Sequence, residues 1–435
     1  MTDSPDFPDP AAARVAPAAR SAPHANGSDA PEKRVLRIGF VPLSDCAPLV
    51  LATELGLDRQ HGIELELCRQ PSWAAVRDKL LSGELDAAHT LSGLAIGVEL
   101  GIGGPQHPMA VLMTLNQNGQ AITLSRALAA RLDDPRALNA SERLDGGRDG
   151  GPEGGGALAR ALHAGAGAGA GFDGRPVFAH TFPTGSHAMW LYYWLAAQGI
   201  DPLRAVDSVV IPPPQMAASM GAGELDGFCA GEPWSAQAEA SGAGVTVATT
   251  DAVWPDHPEK VVTTTRRFVR THPHAARALV MTLLDACRRL DAPAGRRLAA
   301  GLLARPGWID APHALIAARL CGDYGGASGG ARPSRWPALH VARPLRFFGD
   351  GEVNFPYVSD AVWFMTQYRR WGMLSASCDY AVTAASLCQT ALYREAAGRL
   401  GVAAPAGDTR TSVLMDGRRW DGSAPREWDG SNAPA

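Results

Sequence analysis

The feature that most constrains the fold is an alternation of apolar strands and helices that occurs twice along the chain. Between about residues 35 and 125, apolar runs such as VLRIGFVPL and AVLMTL alternate with segments whose apolar residues recur at helical spacing. The same alternation returns between about residues 175 and 250. Strands that alternate with helices favour a parallel sheet with helices on both faces. We therefore predict an α/β protein with two lobes.

The segments between and beyond these two units suggest how the chain is divided. The N-terminal residues are rich in Ala and Pro, and GGRDGGPEGGG and HAGAGAGAG form a Gly-rich stretch that is typical of a surface insertion. The predicted divisions are a disordered tail at 1–34, lobe I at 35–125 plus about 255–415, lobe II at 126–254 with the insertion at about 140–174, and a loose C-terminal tail at 416–435.

Charge, hydropathy and cysteine pattern exclude several classes of protein. The formal net charge is -4 and no long basic run occurs, so direct nucleic-acid binding is not expected. We find no stretch of about 18 apolar residues that would cross a membrane. The seven cysteines are scattered, which is typical of reduced thiols, and residues 1–34 contain no apolar leader. We expect a cytoplasmic location and no membrane contact.

Lysine is rare in this chain, since only Lys33, Lys79 and Lys260 supply it and arginine supplies the other basic groups. An ammonium is a compact point charge that a guanidinium does not replace. Lys260 lies in the proline-flanked segment WPDHPEK, close to His257 and Glu259. It is a candidate ligand for an anion, and the alternative is a solvated lysine in a loop.

Other candidate residues lie where predicted strands pass into helices. His187 follows the loop FPTGS at a helix N-terminus, where free N–H groups and the helix dipole favour an anion. Gln120 follows Gly119 in a segment rich in amides, Trp73 begins a helix, and Ser92 follows a short strand. The alternatives are a helix cap for the histidine, a turn for the amides and a core anchor for the tryptophan.

Catalytic signatures are missing from the sequence. No GxSxG, HExxH, P-loop or GxGxxG motif occurs with suitable flanks, and no acid/base pair can be assigned to the Glu232 of GEPW. A lysine, a histidine and amides around a helix terminus suit the binding of an anion. We therefore predict a binding protein that is not an enzyme and uses no cofactor and no metal.

Several segments resemble the nitrate- and bicarbonate-binding proteins of ABC transporters. They include FVPLSDCAPLVLA, RQPSWAAVRDKL, GELDAAHTLSG, NGQAITLS, HTFPTGSHAMWLYYWLAAQGIDP and WPDHPEKV, and the resemblance covers about residues 35–400. It implies a periplasmic-binding-protein-like fold of type II, in which two α/β lobes joined by a hinge hold the ligand in an interlobe cleft.

The resemblance also implies which residues hold the ligand. It places Trp73, Gln120, His187 and Lys260 in the site, and we add their neighbours Gly119 and Ser92. Bicarbonate-binding relatives have an acidic residue at the position of Lys260 and use calcium there, so a lysine favours nitrate or nitrite without a metal. Because nitrate only accepts hydrogen bonds, we expect a site that offers donors alone.

The lack of a leader narrows the resemblance to the cytoplasmic nitrate/nitrite sensors of this family. Such a sensor would close on the anion and release an RNA-binding antiterminator of the ANTAR type (NasT-like), which induces nitrate-assimilation genes. The alternative is the nitrate-binding component of an ABC-type transporter. A third possibility is an enzyme, because thiamine-pyrimidine synthases share the fold, but the isolated cysteines argue against it.

Overall fold

A computed structural model describes residues 29–139, 156–164, 171, 174–324, 338–375 and 378–430. Within these residues the strands are β1 (Val35–Phe40), β2 (Glu64–Arg69), β3 (Ala87–Leu91), β4 (Met109–Thr114), β5 (Gln120–Ser125), β6 (Val177–His180), β7 (Asp207–Val210), β8 (Gly227–Gly231), β9 (Gly244–Thr249), β10 (Lys260–Thr265), β11 (Ser412–Val413) and β12 (Arg419–Trp420).

The helices are α1 (Ala47–Glu54), α2 (Leu57–Gln60), α3 (Trp73–Ser82), α4 (Ser92–Glu99), α5 (Arg126–Ala129), α6 (Ala157–Ala164), α7 (Ser186–Ala197), α8 (Pro213–Gly221), α9 (Trp234–Ala240), α10 (Thr250–Val253), α11 (Arg266–Thr271), α12 (Pro273–Asp291), α13 (Pro293–Leu303), α14 (His313–Leu320), α15 (Val358–Arg370), α16 (Tyr380–Leu387) and α17 (Thr390–Arg399). Local sequence explains some of these boundaries. Ser72 is the N-cap of α3, because its hydroxyl accepts a hydrogen bond from the Ala75 N–H at 3.2 Å.

The first sheet has the strand order β2–β1–β3–β10–β4. Strand β1 runs parallel to β2 and β3, whereas β10 runs antiparallel to both of its neighbours. The prediction of a purely parallel sheet is therefore wrong at β10. The chain comes back from the second sheet and begins β10 beside the last residue of β3. Strand β10 therefore runs in the direction opposite to β3.

The second sheet repeats this plan with the order β7–β6–β8–β5–β9. Strand β6 is parallel to β7 and β8, while β5 is antiparallel to β8 and β9. The antiparallel strand is again the one that the chain enters directly from the other sheet, here β5 after β4. The two mixed sheets, each with helices packed on it, form the two-lobed α/β architecture that the sequence predicted.

Two short segments, residues 115–119 and 254–259, join the sheets and lie side by side. The Asn118 N–H donates to the His257 carbonyl at 3.3 Å, and the Glu259 N–H donates to the Asn116 carbonyl at 3.1 Å. Gly119 has a φ of 88°, and a Cβ added there would lie 2.6 Å from a methyl carbon of Leu345. Glycine therefore suits both the left-handed backbone and the close approach at this connection.

An aromatic cluster joins the C-terminal helices to the second lobe. Trp363 of α15 stacks on Trp190 of α7 with ring centroids 5.1 Å apart, and Trp254 lies 4.9 Å from the same Trp363 ring. Helix α15 also packs against α4 of the first lobe. Burial of these large rings fixes the position of α7 relative to the first sheet.

The terminal and inserted segments are described only in part. Most of the predicted tail 1–34 and of the insertion at about 140–174 lies outside the described residues, although α6 falls within the insertion. For residues 416–435 the sequence suggested a loose tail, yet Trp420 is 1% exposed and its indole N–H donates to the Ser359 carbonyl at 3.0 Å. The lobe boundaries stay predictions. Among the described helices, none combines the length and apolar character needed to cross a lipid bilayer.

Candidate functional site

The carboxyl ends of the parallel strands in both sheets face the same region between the lobes. Asp45 follows β1, and Lys260 begins β10 beside the end of β3. From the second sheet, Gln120 begins β5 beside the end of β8, and His187 lies in the first turn of α7 after β6. Ligands of open α/β sheets bind at such edges, so these side chains mark the candidate site.

Lys260 occupies the centre of this region and is fully buried. Its Nζ lies 2.8 Å from Asp45 Oδ2 and 2.8 Å from Glu259 Oε1. An ammonium has three donors, so one N–H remains beyond these two contacts. The alternative of a solvated loop lysine is therefore wrong, because the side chain is held in the interior by two carboxylates.

Each of the two carboxylates accepts further hydrogen bonds. Glu259 Oε1 accepts from the Ser186 hydroxyl at 2.8 Å, and Glu259 Oε2 accepts from the Trp190 indole N–H at 2.9 Å. Asp45 Oδ1 lies 2.9 Å from His89 Nε2, which donates when the imidazole is neutral. These bonds hold both carboxylates in their ionised form.

A directed chain of hydrogen bonds connects the second lobe to Asp45. The Thr181 hydroxyl donates to His187 Nδ1 at 2.6 Å, and His187 Nε2 donates to Gln120 Oε1 at 3.0 Å. The Gln120 amide then donates to Asp45 Oδ2 at 3.3 Å. This chain fixes the neutral tautomer of His187 and brings donors from both lobes to the same carboxylate. We call Asp45, Gln120, His187, Glu259 and Lys260 the Lys260 cluster.

Two buried polar atoms beside the Lys260 cluster have no hydrogen-bond partner among the described residues. They are the indole Nε1 of Trp73 and Nδ1 of His89, and both side chains are at most 1% exposed. The Trp73 ring centroid lies 5.8 Å from Lys260 Nζ and 5.6 Å from the His89 ring. A buried donor without an acceptor costs free energy, so the Trp73 N–H is suited to an anion that accepts its hydrogen bond.

Burial and charge together set the ionisation of the Lys260 cluster. Burial lowers the pKa of His187 to about 3, although Glu259 opposes that shift. For Glu259, burial opposes ionisation, but the attraction of Lys260 prevails and lowers its pKa to about 2. Burial also acts against the ammonium, yet Asp45 and Glu259 raise the pKa of Lys260. At neutral pH the cluster therefore holds two carboxylates, one ammonium and a neutral imidazole.

The other sequence-predicted positions support the backbone that carries the Lys260 cluster. The Ser92 hydroxyl donates to the Glu259 carbonyl at 3.0 Å, so Ser92 positions the segment that carries the cluster. Gly119 belongs to the connection between the lobes. The amides of Asn116 and Asn118 also serve this connection, since the first donates to the Asn118 carbonyl and the second to Asp256.

The expectation of a site that offers donors alone is wrong. Asp45 and Glu259 place two acceptors in the Lys260 cluster, both within hydrogen-bond distance of the ammonium. Asp45 was not among the site residues predicted from the sequence, and no side-chain hydrogen bond caps α1 or the short 3-10 turn that contains Asp45. His89 could have been identified from the sequence by its position in the apolar strand AAHTL, because a buried imidazole needs a polar partner.

Comparisons with known proteins agree on one group of relatives. The model of the NMT1-like family matches residues 29–304. The chain is 34% identical to the nitrate/nitrite binding protein NrtA of Synechococcus elongatus, over 93% of the chain and 87% of that protein. It is 28% identical to the bicarbonate-binding protein CmpA of a Synechococcus strain, over 93% of the chain and 88% of that protein.

A solved structure shows the same architecture. The crystal structure of the periplasmic nitrate-binding protein NrtA from Synechocystis superposes with a TM-score of 0.79 at 30% sequence identity. The match covers 92% of this chain and 99% of that one. The predicted periplasmic-binding-protein-like fold is thereby confirmed.

Proposed function

Since the chain belongs to the NMT1-like family, with nitrate- and bicarbonate-binding proteins among its relatives, we propose that it is a nitrate/nitrite-binding protein that closes its two lobes around the anion. The observation that carries this proposal is the Lys260 cluster. A buried ammonium with a remaining N–H lies near the unpartnered indole N–H of Trp73, and donors from the second lobe reach the same point. The named relatives are binding proteins, which supports a role without catalysis.

The favoured cellular role is the anion-binding component of an ABC-type importer. One relative named above is a periplasmic nitrate-binding protein, and this favours the importer over the cytoplasmic sensor that the sequence suggested first. The sensor with its ANTAR-type antiterminator is the alternative. Two experiments separate these roles. Fractionation of the cells of origin shows where the protein is located, and a pull-down on the immobilised protein shows whether it retains permease subunits or an antiterminator.

Titration of the purified protein with nitrate, nitrite, bicarbonate and sulfate tests the proposed ligand. We expect nitrate or nitrite to bind and to change tryptophan fluorescence, because Trp73 lies beside Lys260. Lys260→Ala should weaken nitrate binding by roughly 30-fold or more, since truncating a buried charged partner costs about 2–5 kcal/mol. Lys79→Ala is the matched control, because Lys79 forms only a partly exposed surface pair with Glu84.

Two outcomes would contradict this proposal. One is the absence of nitrate and nitrite binding by folded wild-type protein, as judged by calorimetry and circular dichroism. The other is equal nitrate affinity for Lys260→Ala and Lys79→Ala, which would remove the buried ammonium from the site.

A further inference from the structure

Asp45 contacts the same donor side chains that the proposed ligand would use. Its Oδ2 lies 2.8 Å from Lys260 Nζ and accepts from the Gln120 amide at 3.3 Å. Lys260 belongs to the first sheet and Gln120 to the second, so this one oxygen draws donors from both lobes. A nitrate ion between the lobes needs donors from both of them, because nitrate only accepts hydrogen bonds.

The carboxylate of Asp45 also resembles nitrate in its chemistry. Both groups are planar, carry one negative charge and present oxygen atoms as acceptors. Burial opposes the ionisation of Asp45, but the attraction of Lys260 and the hydrogen bond from His89 prevail and hold its pKa well below the ordinary value. At neutral pH the donors of the site therefore already face an anion that belongs to the protein.

A second carboxylate anchors the ammonium independently of Asp45. Glu259 Oε1 lies 2.8 Å from Lys260 Nζ. The Ser186 hydroxyl and the Trp190 indole N–H donate to Glu259 and fix its side chain. If Asp45 released Lys260, the ammonium would stay paired, which avoids the large cost of an isolated buried charge.

An exchange of Asp45 for nitrate would leave each partner with a hydrogen bond. Asp45 Oδ1 accepts from His89 Nε2 at 2.9 Å and would keep this bond. The indole N–H of Trp73 has no partner among the described residues, and its ring centroid lies 5.8 Å from Lys260 Nζ. Nitrate has a third oxygen that a carboxylate lacks, and the Trp73 N–H is a donor for it.

We propose that Asp45 is an internal competitor of the ligand: nitrate binds by displacing the Asp45 carboxylate from Lys260 and Gln120, and the return of this carboxylate assists release. The inference rests on the proposed function and extends it from the identity of the ligand to its exchange. The apparent affinity for nitrate is reduced by the fraction of molecules in which the donors are free. Asp45 is thus a residue that limits affinity.

Calorimetric titration with nitrate, together with stopped-flow tryptophan fluorescence, tests this inference on Asp45→Asn. An amide keeps the shape of the side chain, but it is neutral and binds an ammonium more weakly. Asp45→Asn should therefore bind nitrate about tenfold or more tightly than the wild type and release it correspondingly more slowly. Asp58→Asn is the matched control with unchanged affinity, because Asp58 is also buried but accepts from the N–H groups of Arg59 and Leu65.

A crystal structure of the wild-type protein with nitrate gives a second test that needs no variant. We expect nitrate oxygens within hydrogen-bond distance of Lys260 Nζ and of the Gln120 amide. Asp45 Oδ2 should lie outside hydrogen-bond distance of both donors, while Oδ1 keeps its bond to His89. If Asp45→Asn does not fold, this structure decides.

Two results would overturn the inference and leave the proposed function standing. One is an Asp45→Asn variant that binds nitrate no more tightly than the wild type, which would make Asp45 a support for Lys260. The other is a nitrate complex in which Asp45 keeps both of its donors. If folded wild-type protein binds neither nitrate nor nitrite, the proposed function and the inference fail together.

Discussion

The Lys260 cluster and a second buried group of charges, the Arg319 cluster, use similar residues for different ends. In the Arg319 cluster, Arg319 of α14 contacts Glu232 at 3.2 Å and Glu239 at 2.7 Å, and Arg136 lies 3.5 Å from Glu239. Two cations therefore face two carboxyl groups, and burial raises the pKa of one of them, Glu232, to about 7. The Lys260 cluster has one cation for two carboxylates and an unpartnered indole N–H beside it. Unmet hydrogen bonds do not distinguish the two clusters, because Glu232 Oε1 and Arg136 Nε also lack a hydrogen-bond partner among the described residues. The clusters differ in their ratio of basic to acidic side chains, which is two to two in the Arg319 cluster and one to two in the Lys260 cluster.

The largest effect that separates the two clusters is expected for Arg319→Ala. This change would leave Glu232 and Glu239 buried without their partner, and breaking such a pair costs about 3–5 kcal/mol of the free energy of unfolding. Nitrate affinity of the folded variant should change less than tenfold, because Arg319 is outside the Lys260 cluster. Urea unfolding and nitrate titration measure both quantities. Arg305→Ala, which removes a mostly exposed arginine, is the control, and an equal loss of stability in both variants would contradict the comparison.

Acid should destabilise the protein through the histidines around Lys260. Burial lowers the pKa of His187 to about 3 and that of His257 to about 4, so below about pH 6.5 the unfolded chain binds more protons than the folded one. These two residues should together cost about 3 kcal/mol of stability between pH 6.5 and 5.0. Urea midpoints at both pH values test this expectation. His187→Gln should reduce this loss of stability, whereas His313→Gln, at an exposed position, should not. A wild-type urea midpoint that is the same at both pH values would contradict the expectation.

Glu232 should respond to pH with the opposite sign. Burial raises its pKa to about 7 despite the attraction of Arg319, so its contribution is present at low pH and is lost as pH rises through about 7. Relative to the wild type, Glu232→Gln should therefore gain up to roughly 3 kcal/mol of stability between pH 5 and pH 8. Urea unfolding at both pH values measures the difference, with the exposed Glu224→Gln as control. A constant difference across this range would show that Glu232 stays ionised.

The smallest expected effect concerns a single hydrogen bond. Trp73→Phe removes the indole N–H but keeps most of the ring, and should weaken nitrate binding by roughly 10- to 100-fold, since a hydrogen bond to a charged group contributes about 1.5–3 kcal/mol. Trp371→Phe removes an equally unpartnered indole N–H far from the Lys260 cluster and should leave the affinity unchanged. If the two variants bind nitrate equally well, the Trp73 N–H does not contact the anion.

Sequence patterns predicted the fold more completely than they predicted the electrostatics of the site. The repeated strand and helix pattern indicated two α/β lobes, and the loops after strands indicated Trp73, Gln120, His187 and Lys260, which the structure brings together. The direction of β10 could not be read from periodicity, because an antiparallel strand buried on both faces has the same apolar pattern as a parallel one. The role of Asp45 was also hidden, since its partners come from β3, β5 and β10 and local sequence shows none of them.

The position of β10 between β3 and β4 also has a consequence for the order in which the chain can fold. In the first sheet β4 has β10 as its neighbour, and β10 is reached only after the whole second sheet has been traversed. During synthesis on the ribosome, the first sheet therefore stays incomplete until residue 265 has emerged, while the strands of the second sheet are all available by residue 249. Vectorial synthesis favours early maturation of the second lobe, and a fragment that stops at residue 125 would expose the edge of β4 to intermolecular pairing.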